Sequence, residues 1–197
     1  LKETHLKRRL AYSTVSNLSY VIFGITIMTP LGLVGALCHM VCHAVMKINA
    51  FFCAGAFMQN TGRSHVYEMD GIGRKMPVVF GCFTISSLGL MGVPGLAGFI
   101  SKWNLASAAV ESGNIQAYFG IGCLLASALL TALYMMNTVI HAFFPGKGFD
   151  EKPLEGVRDP GWRMCVPLLT FAVSTVLLGI FSGPLIGFFR DIAAGVY

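Results

Sequence analysis

The 197 residues are 55% hydrophobic and only 12% charged, about half the roughly 25% charge of a soluble domain. This composition points to an all-α membrane protein and excludes a soluble domain built around one core. The net charge of +5 would suit a nucleic-acid binder, but the cations fall mostly between apolar runs. They report topology, and no nucleic-acid partner is expected.

Leu1 to Arg9 is a basic lead-in with Lys2, Lys7, Arg8 and Arg9. No signal peptide is visible, and a chain opening on Leu1 is expected to be a piece of a longer protein. A first span is expected from about Leu10 to Met28, stopped by Thr29-Pro30. Ser13, Ser16 and Tyr20 fall at i, i+3 and i+7 with Asn17 beside them, which gives one hydroxyl-rich face. Such a face suits interhelical hydrogen bonding and the lining of a water path equally.

The second span, Leu31 to about Gln59, exceeds the roughly 20 apolar residues that cross a bilayer. It nevertheless holds His39, His43 and Lys47. Each step of four residues turns a helix by only about 40° and rises about 6 Å, so the three share one face. A lysine near the bilayer centre costs roughly 2.5–3.5 kcal/mol, and such residues default to function. The plainer alternative is a polar stripe that glues helices together.

A polar loop, NTGRSHVYEMDGIGRKMP, leads to a third apolar segment from Val78 to Ala109, interrupted by GVPGLAGFISK at residues 92–102. Pro94 lacks an N–H, and Gly92, Gly95 and Gly98 weaken the helix further, so a broken helix is expected. Irregular backbone at membrane depth is tolerated where it is buried in protein or lines a cavity, and discontinuous helices build ion sites in transporters. Lys102 follows the break as a second lysine embedded in apolar sequence.

The fourth span, about Ile115 to Phe144, carries Ser127, Thr131, Tyr134, Thr138 and His141 at heptad-like spacing, which aims them at one neighbour. A charged loop then leads to a last span from about Met164 to Phe189, expected to pack only. The fold expected is thus five transmembrane helices, the third broken. Cys38, Cys42, Cys53, Cys82, Cys123 and Cys165 include no CxxC pair and read as small buried side chains, neither disulfides nor a metal site.

Eleven of the 14 lysines and arginines lie in the lead-in, the second-to-third loop and the fourth-to-fifth loop. With five spans these segments share one side, and the positive-inside rule makes the N-terminal end cytoplasmic and Tyr197 external.

Four stretches, LKRRLAYSTVSNLSY (6–20), HMVCHAVMKINAFFCAG (39–55), MDGIGRKMP (69–77) and GVPGLAGFISKW (92–103), together resemble the antiporter-like membrane subunits of complex I. That family also supplies subunits of multi-subunit, Mrp-type cation/proton antiporters and of energy-converting membrane hydrogenases. The resemblance covers residues 5 to about 146 and implies two inverted five-helix repeats, each with a broken helix and half of a proton path. This chain is similar to most of the second repeat (1–146), followed by a cytoplasmic loop (147–163) and a trailing helix and tail (164–197). Lys47 is similar to the family's central channel lysine, His39 and His43 to its relay histidines, and Lys102 to the basic residue on the exit side. His5 departs from the pattern, which commonly has aspartate there.

The resemblance implies a non-redox, proton-translocating subunit of an oxidoreductase or antiporter complex, with no cofactor of its own. Its expected partners are other membrane subunits, the lipid bilayer, protons and, alternatively, Na+. The expected location is the inner membrane of a bacterial or archaeal cell. Ser13, Ser16, Tyr20, Thr131, Tyr134 and His141 are the candidate lining of the water path. A free lysine holds its proton up to pH about 10.4, so a relay lysine must be desolvated or stand near a cation, a demand within the reach of burial. Histidine can take a proton at one ring nitrogen and give one from the other. The rivals are a scaffold without transport, a bis-histidine haem protein using His43 and His141, and a metal site from Cys38, His39, Cys42 and His43.

Overall fold

A computed structural model describes residues 2–146, 154 and 156–197. Among these, eight α-helices follow one another: α1 (Leu6–Thr26), α2 (Pro30–Thr61), α3 (Ile72–Lys75), α4 (Pro77–Met91), α5 (Ala97–Glu111), α6 (Ile115–Phe143), α7 (Trp162–Ile180) and α8 (Gly183–Ala194). Residues 147–153 and Glu155 of the expected fourth-to-fifth loop lie outside the described residues.

α2 is the hub, packed against α1, α4, α5, α7 and α8. Its start is set locally. The Thr29 hydroxyl accepts from Gly32 N at 3.1 Å and Pro30 occupies the first turn, where a missing N–H costs nothing. At its other end Gly62 adopts φ 69° and its N–H closes on the Met58 carbonyl, as a left-handed cap does. Leu10, Met46, Phe57, Phe83, Leu90, Met135 and Leu168 join α1, α2, α4, α6 and α7 in the main core.

α2, α6 and α7 are long and apolar enough to cross a membrane. The expected third span is divided into two helices of 15 residues, α4 and α5, each about 22 Å long and short of the roughly 30 Å hydrocarbon core. The break is narrower than the expected 92–102. It occupies residues 92–96, with Gly92 at φ 95° and Gly95 at φ 88°, a region L side chains avoid. Gly98 belongs to α5. Its role is close approach, because a Cβ there would stand 1.9 Å from the Gly89 carbonyl oxygen.

Two further expectations need correction. The last span expected over Met164–Phe189 is two helices, α7 ending at Ile180 and α8 beginning at Gly183. Pro184 has no N–H to offer the Ile180 carbonyl, so the ladder cannot run on. Of the cysteines, Cys38, Cys42, Cys53 and Cys82 are buried, whereas Cys123 is exposed and Cys165 partly so, because much of α6 and the first turn of α7 face outward.

The basic segments gather at one end of the bundle. His5 and His65 form an antiparallel bridge, with Leu6 N donating to Ser64 O at 3.0 Å and Val66 N to Thr4 O at 2.9 Å. Gly71 N donates to His141 O at 3.1 Å. The Asp159 carboxylate accepts from Val78 N and Val79 N at 3.1 Å, which caps α4.

Candidate functional site

The stripe that α1 buries runs Leu6, Leu10, Ser13, Asn17, Tyr20, Gly24, the three-and-four alternation of a helical face. Asn17 and Tyr20 stand within about 40° of Ser13 around the axis, whereas Ser16 stands about 60° away. Ser16 is accordingly exposed, and its hydroxyl meets Ser127 at 3.2 Å.

The opposing face of α2 presents Lys47, His43 and His39, all buried. Lys47 Nζ donates to Ser13 Oγ at 2.6 Å and to the Leu10 carbonyl at 3.0 Å. The same Ser13 oxygen accepts from Tyr134 Oη at 2.5 Å. Ser13 and Tyr134 line a cavity of about 210 Å3 whose wall also includes Glu3, Arg9 and Thr131, so Lys47 is one hydroxyl away from it.

From Lys47 the polar face continues along α2. The His43 and His39 rings stack with centroids 5.8 Å apart, and Tyr20 meets His39 edge-on at 5.1 Å. Ser101 Oγ donates to the Gly98 carbonyl at 3.1 Å and stands 3.0 Å from His39 Nδ1. That arrangement makes Nδ1 the donor and leaves Nε2 with the lone pair. His39 Nε2, His43 Nε2 and Tyr20 Oη are buried without a hydrogen-bond partner among the described residues.

Lys102 closes the column, its Nζ 5.7 Å from the centroid of the Tyr20 ring. It donates to the Leu90 carbonyl at 2.7 Å and the Met91 carbonyl at 3.0 Å. A continuous helix would pair those carbonyls with the N–H groups of residues 94 and 95. Pro94 has none, and Gly95 is turned into the left-handed region. The lysine therefore occupies acceptors that the break created, at the negative end of the α4 dipole. Neither lysine has a carboxylate partner among the described residues.

The polar stripe of α6 mostly meets one neighbour, α1: Ser127 meets Ser16, Tyr134 donates to Ser13, and Thr138 accepts from Arg9 at 3.1 Å. Thr131 is buried and donates to the Ser127 carbonyl at 2.8 Å. His141 stands apart from the column, its Nδ1 2.6 Å from Asp70 in the loop. Sequence reasoning did not select Ser101, which holds His39, or Asn49, a buried amide donating to Ser86 Oγ at 2.8 Å. Asn49 sits two residues after Lys47 in an apolar span, and that position was the available signal.

A buried lysine on the membrane-length helix α2, and a second lysine capping a helix broken within the bundle, define the architecture of an integral membrane protein with a polar interior. The chain matches the family described as NADH:quinone oxidoreductase/Mrp antiporter, TM, over residues 1–143, and it belongs to that family. It is 34% identical over 195 residues to NADH-quinone oxidoreductase subunit N of Desulforudis audaxviator, a match covering 94% of this chain and 38% of that protein. It is 32% identical over 182 residues to NADH-quinone oxidoreductase subunit L of Rickettsia conorii, covering 91% of this chain and 26% of that one. All of it superposes on 43% of a chain in the Mrp complex from Dietzia sp., with TM-score 0.87 and 22% identity. The chain thus spans less than half the length of these relatives.

Proposed function

We propose that this chain forms one half of a proton path in an antiporter-like subunit of a complex I-type or Mrp-type membrane complex. Lys47, His43, His39 and Lys102 pass the proton, with Tyr20 and Ser101 holding the column. The observation that carries this reading is the run of two stacked, buried imidazoles on one helix face with a buried lysine at each end. A lysine locked to a carboxylate would keep its proton. These two are held by neutral oxygens, and the imidazoles keep free nitrogens facing the interior. Water linking those nitrogens would complete the path. The cargo assigned to this segment is the proton, since a hard cation such as sodium selects oxygen ligands over nitrogen bases.

In this reading residues 1–146 are most of the second of two repeats, and the chain crosses the bilayer five times, α4 and α5 acting as one broken span. The end that gathers the basic segments is cytoplasmic, in the inner membrane of a bacterial or archaeal cell. The rest of the same subunit supplies the first repeat, and other membrane subunits supply the driving force.

The test is proton uptake by vesicles holding the parent complex with Lys47→Arg at matched assembly. Arginine keeps charge and reach but stays protonated, so uptake should be abolished. Near-normal uptake would overturn the relay and favour a scaffold in which Lys47 only ties α2 to α1.

A further inference from the structure

A second feature lies further along α2 than the lysine–histidine column, towards the C-terminal end of that helix, and the relay makes no use of it. Between α2 and α7 runs a groove of about 700 Å3, within the roughly 300–1,000 Å3 typical of small-molecule sites. Its walls are apolar, with Phe51 and Phe52 from α2 facing Met164, Pro167 and Leu168 from α7. One turn further along α7 the rings of Phe52 and Phe171 meet edge to face at 5.9 Å. Gly55 leaves the wall open, since a Cβ there would meet nothing within 4 Å.

The mouth of the groove is charged. Lys7, at the start of α1, and Arg163, at the start of α7, both line it, together with Gln59, and among the described residues no carboxylate does. Both cations are exposed at the end of the bundle where the basic segments gather, and neither has a carboxylate partner among the described residues. The exposed Trp162 ring lies 5.8 Å from the Arg163 guanidinium, an amphipathic pair of the kind found at headgroup depth. A neutral amphiphile would leave two cations at the mouth without a counter-charge. A protein segment would have to bring an acid to the same place, beside a groove that opens sideways from membrane-length helices.

We propose that this groove binds an anionic phospholipid, with its phosphate between Lys7 and Arg163 and one acyl chain along the Phe51–Phe52 wall beside Gly55. Basic pockets between membrane helices on the cytoplasmic side recognise such headgroups. Bound there, the lipid ties the N-termini of α1 and α7 to the C-terminal half of α2. The proposal requires that the chain lies in a membrane and does not require the relay.

The test uses the full-length parent protein in nanodiscs of mixed phosphatidylcholine and phosphatidylglycerol, with a photo-crosslinking phenylalanine analogue in place of Phe52. The expected adduct is phosphatidylglycerol, enriched over its share of the nanodisc. Lys7→Gln and Arg163→Gln should each lower that enrichment about five-fold, which corresponds to roughly 1 kcal/mol per cation near an anionic surface. Gly55→Leu fills the groove without touching the charges, and it should abolish the adduct while leaving the thermal midpoint close to that of the parent. Labelling of both lipids in proportion to their abundance would overturn the proposal. So would an adduct to a neighbouring subunit. Loss of enrichment in the charge variants with none in Gly55→Leu would reduce the effect to surface attraction and overturn the site.

Discussion

Lys47 reaches across from α2 to place its ammonium 2.6 Å from Ser13 Oγ on α1, and Tyr134 of α6 donates to the same oxygen. One serine therefore joins three helices and stands between the central lysine and the cavity beside Glu3 and Arg9. Ser13→Ala removes the shared acceptor and leaves Lys47 with the Leu10 carbonyl alone. Hydrogen bonds between membrane helices average only about 0.6 kcal/mol, so the complex should still assemble. Proton uptake should nevertheless fall several-fold, and Ser13→Thr should restore most of it. Unchanged uptake by an assembled Ser13→Ala complex would remove the cavity from the path.

Lys102 caps α4, and the relay proposed above gives it a second, separable role in proton exchange. Lys102→Gln can still donate to the Leu90 and Met91 carbonyls but cannot titrate. It should assemble normally on native gels and fail to take up protons. Lys102→Glu can exchange a proton but, when ionised, cannot cap, so it should assemble less well and retain more uptake than Lys102→Ala. If Lys102→Gln pumped normally, the lysine would be a helix cap only.

Gly98 and Gly89 bring the two halves of the broken segment into backbone contact. Gly98→Ala puts a Cβ 1.9 Å from the Gly89 carbonyl oxygen. Backbone cannot swing aside as a flexible side chain can, so the cost should reach or exceed the roughly 1–3 kcal/mol of overpacking. The thermal midpoint should drop sharply. Gly81→Ala, where the new atom meets nothing within 4 Å, should be neutral or stabilising by up to about 1 kcal/mol through helix propensity.

Glu68 ties the loop before α3 by accepting from Ser64 N at 2.9 Å and His65 N at 2.8 Å. Those backbone N–H groups, His65 first, hold its carboxyl below the ordinary value. A depressed carboxylate stabilises the loop above the free value near pH 4.3, and that contribution is lost as pH falls through the lower folded value. Protection of the His65 amide, measured against its intrinsic exchange rate, should be high at neutral pH and fall only in acid, below the free glutamate range. Glu68→Gln should lower that protection at neutral pH and leave the acid value little changed.

Orientation is open to thiol labelling. A cysteine at Ser64, in a background where exposed Cys123 is replaced, should resist a membrane-impermeant reagent in intact cells. Labelling from outside would reverse the topology.

The sequence by itself determined the features that arise within one or two turns of chain. Four-residue steps aligned His39, His43 and Lys47, and Gly92, Pro94 and Gly95 broke the helix, because rotation per residue and backbone sterics act over a few neighbours. The same local rules placed Ser127, Thr131, Tyr134 and Thr138 on one face, and the four stretches that carried the family resemblance were legible as they stood. Only the tertiary structure decided what those groups meet. Lys47 finds Ser13 across 34 positions of chain, and His39 finds Ser101 across 62. Lys102 turns back to carbonyls 12 and 11 residues earlier. It also took Ser16 off the buried face and set His141 apart with Asp70. Each of these outcomes depends on the angle and depth at which apolar helices pack, which is set by side-chain volume summed over whole faces and leaves no short pattern in the chain.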